Sequence, residues 1–276
     1  MAKSAKPRST KSKQAQPNRI LNLLPSKDTD KDWGFAAAMA AGPLGAAPAK
    51  LPASVDLRAD WWTVGDQANT GSCVGWASTD GVARYLFAKA GRLDKKTMLS
   101  PRFTWMASKE TDHAVDKPQT MLDCAGTYLK TASDVLRKYG AVTDDLCPFI
   151  LSAAMYTGDE DDFFATAATR KIASYFNLQR NMAEWKRWLA SKGPILVGLS
   201  VDDTFGNATA TGGKLARFQP ATVRGGHAVC LVGYKSDGTF IIRNSWGTGW
   251  GDKGFAYATP SYVSAAFFPE SYGMTL

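Results

Sequence analysis

The sequence has few of the residues that build metal sites and disulfide frameworks. Its 276 residues include four cysteines and two histidines, and no two cysteines are separated by only two residues. Structural zinc sites need closely spaced pairs of Cys or His ligands, and secreted disulfide scaffolds are much richer in Cys. We therefore predict neither a metal site nor a cofactor.

A long apolar run is also missing. No stretch of the sequence approaches the ~20 apolar residues that cross a bilayer. The basic N-terminus is not followed by the apolar segment of a secretory signal. We therefore expect no membrane association and a cytoplasmic location, with non-classical export as the route that this test would miss.

Acidic residues are absent from the first 19 positions. This segment holds six Lys and Arg, so the formal charge of +8 for the whole chain leaves +2 for the remainder. We predict that residues 1–19 form a disordered basic tail. Apart from weak contacts of this tail, we expect no nucleic-acid partner.

The rest of the chain divides into a leader, residues 20–50, and a body, residues 51–276. Leucine and aromatic side chains in the leader need a surface on which to pack. In the body, spacings of three and four residues predict helices from Cys73 to about Gly91 and from about Thr127 to Tyr139.

The second half of the body has a different pattern. Asn181, with Glu184 three residues later, predicts the start of a helix that Gly193 ends. Short apolar runs then predict strands at Ile195–Val201, Ala228–Tyr234, Phe240–Arg243 and Phe255–Ala258. This order predicts an α+β fold, with a helical lobe at about 65–165 and a sheet lobe at about 166–276.

One cysteine lies where a nucleophile would be placed. Cys73 stands at the predicted start of a helix, where backbone N–H groups and the helix dipole favour a negative charge. Beside an imidazolium, the pKa of such a thiol can fall to about 3.5–7.5. A lone cysteine is more often an inert buried residue, but other residues of this chain support a nucleophile.

Three polar residues complete a thiol acyl-transfer site. His227 opens an apolar strand after two glycines and can accept the thiol proton and later protonate a leaving amine. Asn244 can accept a hydrogen bond from the other imidazole nitrogen, which fixes the tautomer. Gln67 can join the Cys73 N–H in donating to an oxyanion, a contact worth roughly 2.7–4 kcal/mol. The other histidine, His113, matches no motif.

These motifs resemble those of the papain family of cysteine peptidases. Gln67-x5-Cys73, the Gly-Gly-His-Ala-Val run at 225–229 and the Asn-Ser-Trp-Gly-Thr-Gly-Trp-Gly run at 244–251 match the family in content, order and spacing. The last run is highly specific to this family. The resemblance covers roughly residues 55–258.

The resemblance implies a two-lobed papain-like fold, with a helical left lobe, a β-barrel right lobe and the active site in the cleft. It implies hydrolysis of protein or peptide substrates through a thioester acyl-enzyme. From it we expect the substrate to contact Gly126, Thr127, Gly226, Trp246 and Trp250. We also expect Trp246 to shield the His–Asn hydrogen bond from water.

The chain departs from the family at several positions. The family usually has Trp after the nucleophile and Cys three residues before it, where this chain has Val74 and Thr70. Cys124 stands where the partner of that missing Cys often lies, so the usual disulfide cannot form, as suits a reducing compartment. The leader 20–50 is about half as long as the usual inhibitory pro-domain, and we expect it to lie in the cleft or to be trimmed by the enzyme. Residues 260–276 do not follow the family, so part of the specificity pocket is not predicted.

Our main interpretation is a cytoplasmic papain-like cysteine endopeptidase. One alternative is a catalytically inactive papain-like binding module, against which the complete set of four active-site residues argues. The other is acyl transfer of the transglutaminase or deamidase type at the same triad. An amine-dependent product would separate that reaction from hydrolysis.

Overall fold

The computed structural model describes residues 19–40, 42, 50–112, 123–152, 154 and 158–276. His113 and residues 1–18 of the predicted tail lie outside these ranges. Within the described part of the chain, no helix is long and apolar enough to cross a bilayer.

The helices follow the predicted segments and add others. They are α1 (Phe35–Ala40), α2 (Cys73–Gly75), α3 (Arg84–Lys89), α4 (Pro101–Thr111), α5 (Leu129–Lys138), α6 (Glu160–Ala168), α7 (Met182–Ser191), α8 (Asp203–Gly206) and α9 (Pro260–Ala266). A π-helical stretch, Trp76–Ala83, joins α2 to α3. The helix predicted from Cys73 is therefore continuous, and we call residues 73–89 the nucleophile helix.

Side-chain caps explain where several helices begin. The Asn181 side chain accepts hydrogen bonds from the N–H groups of Ala183 and Glu184, which confirms the predicted start of α7. Ser100 caps α4 in the same way and is followed by proline at the first helical position, where its missing N–H costs nothing. Helix α5 begins at Leu129, two residues after the predicted start.

The strands form one mixed sheet. They are β1 (Val55–Asp56), β2 (Ser174–Asn177), β3 (Ile195–Val201), β4 (Lys214–Leu215), β5 (Gly225–Tyr234), β6 (Phe240–Arg243), β7 (Phe255–Ala258) and β8 (Phe267–Thr275). Their order is β2-β8-β3-β5-β6-β7-β4, with β1 paired to β5. The α+β class is confirmed, and the predicted ranges of β3, β6 and β7 are correct.

The sheet differs from the expected β-barrel. Strands β2 and β4 lie at opposite ends of the order, and no pairing among the described residues joins them, so the sheet is not closed. Strand β8 was not predicted, yet it pairs with both β2 and β3. Helices α2 to α5 lie within residues 65–165 and strands β2 to β8 within 166–276, while α6 (Glu160–Ala168) crosses the predicted boundary. The two-lobe boundaries remain a prediction.

The nucleophile helix packs directly on β5. A Cβ at Gly81 would lie 2.8 Å from Cys230 Sγ on that strand, so glycine allows the close approach. The same contact brings the start of the helix towards His227, near the beginning of β5. The packing of helix on strand therefore positions the candidate site.

A buried ion network ties this helix to the sheet. The Asp80 carboxylate accepts hydrogen bonds from Arg84 at 2.9 Å and from Arg243 of β6 at 2.6 Å. All three side chains are almost completely excluded from solvent. Removing one member leaves buried charge without compensation.

We expect Asp80→Asn to destabilise the protein by about 3–5 kcal/mol, because two buried guanidinium groups lose their counter-charge. The matched control is Asp28→Asn, which removes the acid of an exposed pair with Lys31 and should cost less than about 1 kcal/mol. Urea unfolding of both variants measures the difference. Equal midpoints for the two variants would contradict the expectation.

Candidate active site

Cys73 lies at the first position of the nucleophile helix and is fully buried. Backbone N–H groups of Cys73, Val74 and Ala228 lower its pKa, but burial outweighs them and raises the pKa to about 11. The sequence predicts a lowered pKa, so the structure differs on this point. The reason is desolvation, which penalises the thiolate in an enclosed site.

His227 and Asn244 form a hydrogen-bonded pair. The imidazole Nε2 and the Asn244 Oδ1 are 2.7 Å apart. The N–H of Ser245 also donates to Oδ1 at 2.8 Å, so Oδ1 is an acceptor and Nε2 carries the proton. Nδ1 has no hydrogen-bond partner among the described residues, which leaves it available to a thiol proton.

The imidazole is neutral in this arrangement. Burial lowers the pKa of His227 to about 4, the bond to Asn244 raises it in part, and the positive charge of Arg19 lowers it further. With the thiol pKa at about 11, Cys73 and His227 are both uncharged over the range between these values. A thiolate–imidazolium pair requires this order of pKa values to be reversed.

Trp246 covers the His–Asn pair, as predicted. Its ring lies 4.8 Å from the His227 ring, at an interplanar angle of 36°. Behind it, Trp250 packs on Phe205 with centroids 4.7 Å apart and donates to the Phe205 carbonyl. Trp250 is buried in the core cluster, and its contact with substrate remains a prediction.

Gln67 is buried and held at both ends of its amide. Oε1 accepts from the Ser245 hydroxyl at 2.8 Å, and Nε2 donates to the Thr70 carbonyl at 3.0 Å. The Thr70 hydroxyl in turn donates to the Gln67 carbonyl at 2.7 Å. Because an amide nitrogen carries two hydrogens, one remains for a further acceptor. The backbone carbonyl of Thr70 thus helps to orient this side chain.

The leader lies along the predicted substrate-contact residues. The Leu23 N–H donates to the Gly226 carbonyl at 3.2 Å. Asn22 donates to the Cys124 carbonyl at 2.5 Å, and its Oδ1 lies 2.6 Å from where a Cβ of Gly126 would stand. Leader and body therefore meet between Gly126 and Gly226.

The Leu23 side chain fills a pocket that the sequence analysis did not predict. It is only 2% exposed, and its Cδ2 lies 2.9 Å from where a Cβ of Gly198 would stand. Phe268 of β8 lies 2.8 Å from the same point. The pocket was missed because Phe268 belongs to the segment that does not follow the family. Thr127 is buried, and its hydroxyl has no partner among the described residues.

Arg19 corrects the predicted extent of the solvated tail. Its guanidinium forms an ion pair with Asp66 at 2.6 Å, and only 7% of its side-chain surface is exposed. Arg19 therefore packs with the folded body. Neither residue was predicted as part of the site, and the one signal in the sequence was that Asp66 directly precedes Gln67.

All four cysteines are free thiols, and Cys124 is exposed. Among the described residues, no group of three or more His, Cys, Asp or Glu side chains is arranged to hold a metal ion.

Comparison with known sequences identifies one family. The profile described as "Papain family cysteine protease" matches residues 51–263. Mouse cathepsin K is 29% identical over 227 residues, which are 75% of this chain and 59% of that protein. The chain thus spans about three fifths of the length of this relative.

Solved structures share the fold. Xylellain, a cysteine protease from Xylella fastidiosa, has a TM-score of 0.74 at 21% identity, covering 95% of this chain and 98% of its own. Digestive procathepsin L 3 from the larval midgut of Tenebrio molitor has a TM-score of 0.62 at 18% identity, covering 95% of this chain and 76% of its own. These similarities confirm the papain-like fold class.

Proposed function

The chain belongs to the papain family of cysteine proteases, and we propose that it is an endopeptidase acting through a Cys73 thioester. The observation that carries this proposal is the His227–Asn244 pair, whose Nδ1 lacks a partner among the described residues. The backbone N–H of Ala228, the residue next to this histidine, is one of the groups that lower the pKa of the Cys73 thiol. These contacts supply a nucleophile, a base and an orienting group.

In the first half-reaction, His227 Nδ1 takes the proton of Cys73, and Sγ attacks the carbonyl carbon of the peptide bond. The second Nε2 hydrogen of Gln67 and the Cys73 N–H stabilise the oxyanion. As the C–N bond breaks, Nδ1 gives its proton to the leaving amine. Asn244 keeps the imidazole oriented throughout without adding charge.

In the second half-reaction, water replaces the amine. His227 accepts a proton from water, which attacks the thioester carbonyl and releases the carboxylic acid. The proton then returns to Cys73. Trp246 covers the His–Asn hydrogen bond, and exclusion of water strengthens that bond.

We further propose that the leader restrains the enzyme by occupying its cleft. Leu23 is buried between Gly198 and Phe268, and Asn22 lies between Gly126 and the chain at Gly226. The procathepsin similarity also supports this role. A cytoplasmic, reducing location remains part of the proposal, supported by four free thiols.

The test is to incubate the full-length chain with a peptide mixture and analyse the products by mass spectrometry, with and without an added primary amine. We expect cleaved peptides whose yield does not depend on the amine, because water is the acyl acceptor. A thiol-directed epoxide affinity reagent should label Cys73.

Other outcomes separate the alternatives. An amine-dependent product would identify acyl transfer in place of hydrolysis. Absence of both products and label, from folded full-length protein and also from a folded Leu23→Asp variant that releases the leader, would identify a binding module.

A further inference from the structure

The Arg19 guanidinium contacts the body through both of its Nη nitrogens, while its buried Nε has no hydrogen-bond partner among the described residues. Nη1 donates to Asp66 Oδ1 at 2.6 Å and to the Ala68 carbonyl at 2.7 Å. Nη2 lies 3.3 Å from Asp66 Oδ2 and 3.5 Å from the Trp246 carbonyl oxygen. Both nitrogens engage the carboxylate, a planar two-point arrangement that an ammonium group cannot reproduce.

An aromatic face completes this environment. The Cζ atom of Arg19 lies 5.6 Å from the centroid of the Trp246 ring, within the range of a cation–π contact. Only 7% of the Arg19 side-chain surface is exposed, and a buried charge needs acceptors to replace its water. The body supplies one full negative charge and two carbonyl oxygens.

The surrounding backbone is held by contacts within the body. Asp66 and Trp246 form an isolated antiparallel bridge, and the N–H of Gly247 donates to the Gly65 carbonyl at 2.9 Å. The N–H of Ala68 donates to Asp66 Oδ1 at 2.8 Å. Ala68 also has a left-handed φ of 52°, a conformation that a residue with a Cβ adopts only where its surroundings hold it. The pocket therefore does not depend on the leader for its shape.

We propose that Asp66, Ala68 and Trp246 form an arginine subsite that selects an arginine of the substrate on the leaving-group side of the scissile bond. In the covered enzyme the leader's Arg19 occupies this subsite. The selection of substrate rests on the peptidase function proposed above.

The position of the subsite relative to the scissile bond follows from the base. His227 protonates the leaving amine, and the Trp246 ring lies tilted against the His227 ring with centroids 4.8 Å apart, so the residue that carries this amine passes close to Trp246. Leu23, four residues after Arg19, contacts Gly226 instead. The acyl part of the substrate is therefore expected where Leu23 lies, which means that the leader crosses the site in the opposite chain direction to a substrate.

The experiment uses the full-length chain and peptides with one cleavage site. Each peptide carries either arginine or citrulline at one of the positions flanking that site. Citrulline keeps the length and shape of arginine but has no charge. We expect arginine to give a kcat/KM about 10–100-fold higher than citrulline next to the scissile bond on the leaving-group side, because hydrogen bonds between charged groups are the strong ones.

Two variants separate substrate selection from release of the leader. Asp66→Asn should bring the arginine-to-citrulline ratio close to one, while its Oδ1 still accepts from the Ala68 N–H. Arg19→Ala should keep the ratio and raise the rate with both peptides. The ratio compares two substrates with the same variant. The fraction of molecules whose cleft is covered by the leader lowers both rates equally and does not change the ratio.

Several results would overturn the proposal of an arginine subsite. These are cleavage with a ratio near one in the wild type, a preference on the acyl side, or a preference that survives Asp66→Asn. No cleavage by any folded variant would instead contradict the peptidase function itself. If Asp66→Asn does not fold, the proposal is tested by inhibiting peptide hydrolysis by Arg19→Ala. Arginine amide should inhibit this variant at roughly tenfold lower concentration than citrulline amide. Equal inhibition by the two amides would overturn the proposal.

Discussion

Cys73→Ala is expected to lower kcat for peptide hydrolysis by roughly 10⁴-fold or more, the scale seen when the nucleophile of a catalytic triad is removed. The methyl group of alanine cannot form the thioester, so the remaining groups assist only a direct attack by water. Binding of peptide should change little, since the substitution removes only one buried thiol. Initial rates and peptide binding, measured on the same preparation, separate the two effects.

Cys124→Ala is the matched control for this experiment. Cys124 is also a free thiol, but it is exposed, and its contact with the leader goes through its backbone carbonyl. Its substitution should leave kcat within about twofold, in the range of surface changes away from special features. Retention of hydrolysis and of epoxide labelling by Cys73→Ala would refute the assignment of the nucleophile.

Leu23→Asp is expected to increase the rate of Cys73 alkylation by iodoacetamide at pH 7 by about 10²-fold or more. A carboxylate is costly in the buried pocket of Leu23, so the leader should leave the cleft. In the covered enzyme the thiol pKa of about 11 leaves only ~10⁻⁴ of the thiol ionised at pH 7. An opened site with a pKa at or below about 7.5 would be at least about a quarter ionised at pH 7, and the weaker nucleophilicity of a more acidic thiol offsets only part of this gain.

The pH dependence tests the same prediction. In the wild type, the alkylation rate should rise about tenfold per pH unit from pH 7 towards the thiol pKa of about 11. In Leu23→Asp the rate should level off several units lower, because the thiol is already ionised. Mass spectrometry of the modified peptide follows Cys73 separately from the exposed Cys124.

Leu24→Asp is a matched control for the leader variant. It introduces the same side chain at the next residue, where the leucine is 60% exposed. It should leave both the alkylation rate and its pH profile unchanged. If the two variants behave alike, added charge rather than occupancy of the pocket controls the thiol, and the proposed role of the leader is wrong.

The predicted nucleophile, base and orienting residue each belong to a local sequence pattern, which is why the sequence alone could propose them. Cys73 begins a periodic helix, and His227 and Asn244 lie at the ends of apolar runs that proved to be strands. Their assembly follows from the packing of that helix on β5. The hydrogen bond between His227 and Asn244 was therefore predictable in kind, although its distance was not.

Contacts between the leader and the body could not be predicted from local sequence patterns. Arg19 and Asp66 are 47 positions apart, and no periodicity relates them. Arg19 was assigned to the tail because its neighbours in sequence are basic and polar. Burial of its charge depends on an acid and carbonyls supplied by distant segments, which composition cannot reveal.

Strand β8 was missed for a different reason. Its sequence contains Pro269, Glu270 and Gly273, which interrupt the alternation typical of a strand. Hydrogen bonds of the strand's polar residues stabilise the segment despite these interruptions. The Glu270 carboxylate accepts from the Ser26 N–H at 2.6 Å and from the Tyr272 hydroxyl at 2.9 Å. Tertiary contacts therefore outweigh the weak strand propensity of the segment.

The leader that places Leu23 against Gly226 is covalently continuous with the body, so it is present at the cleft at a fixed local concentration. For short tethers this effective concentration is on the order of millimolar. If the leader restrains the enzyme as proposed, dilution of the protein cannot free the cleft, and a substrate must compete with a segment that never diffuses away. Cutting the chain between leader and body would turn this into an ordinary two-molecule equilibrium, in which dilution alone becomes an activating signal.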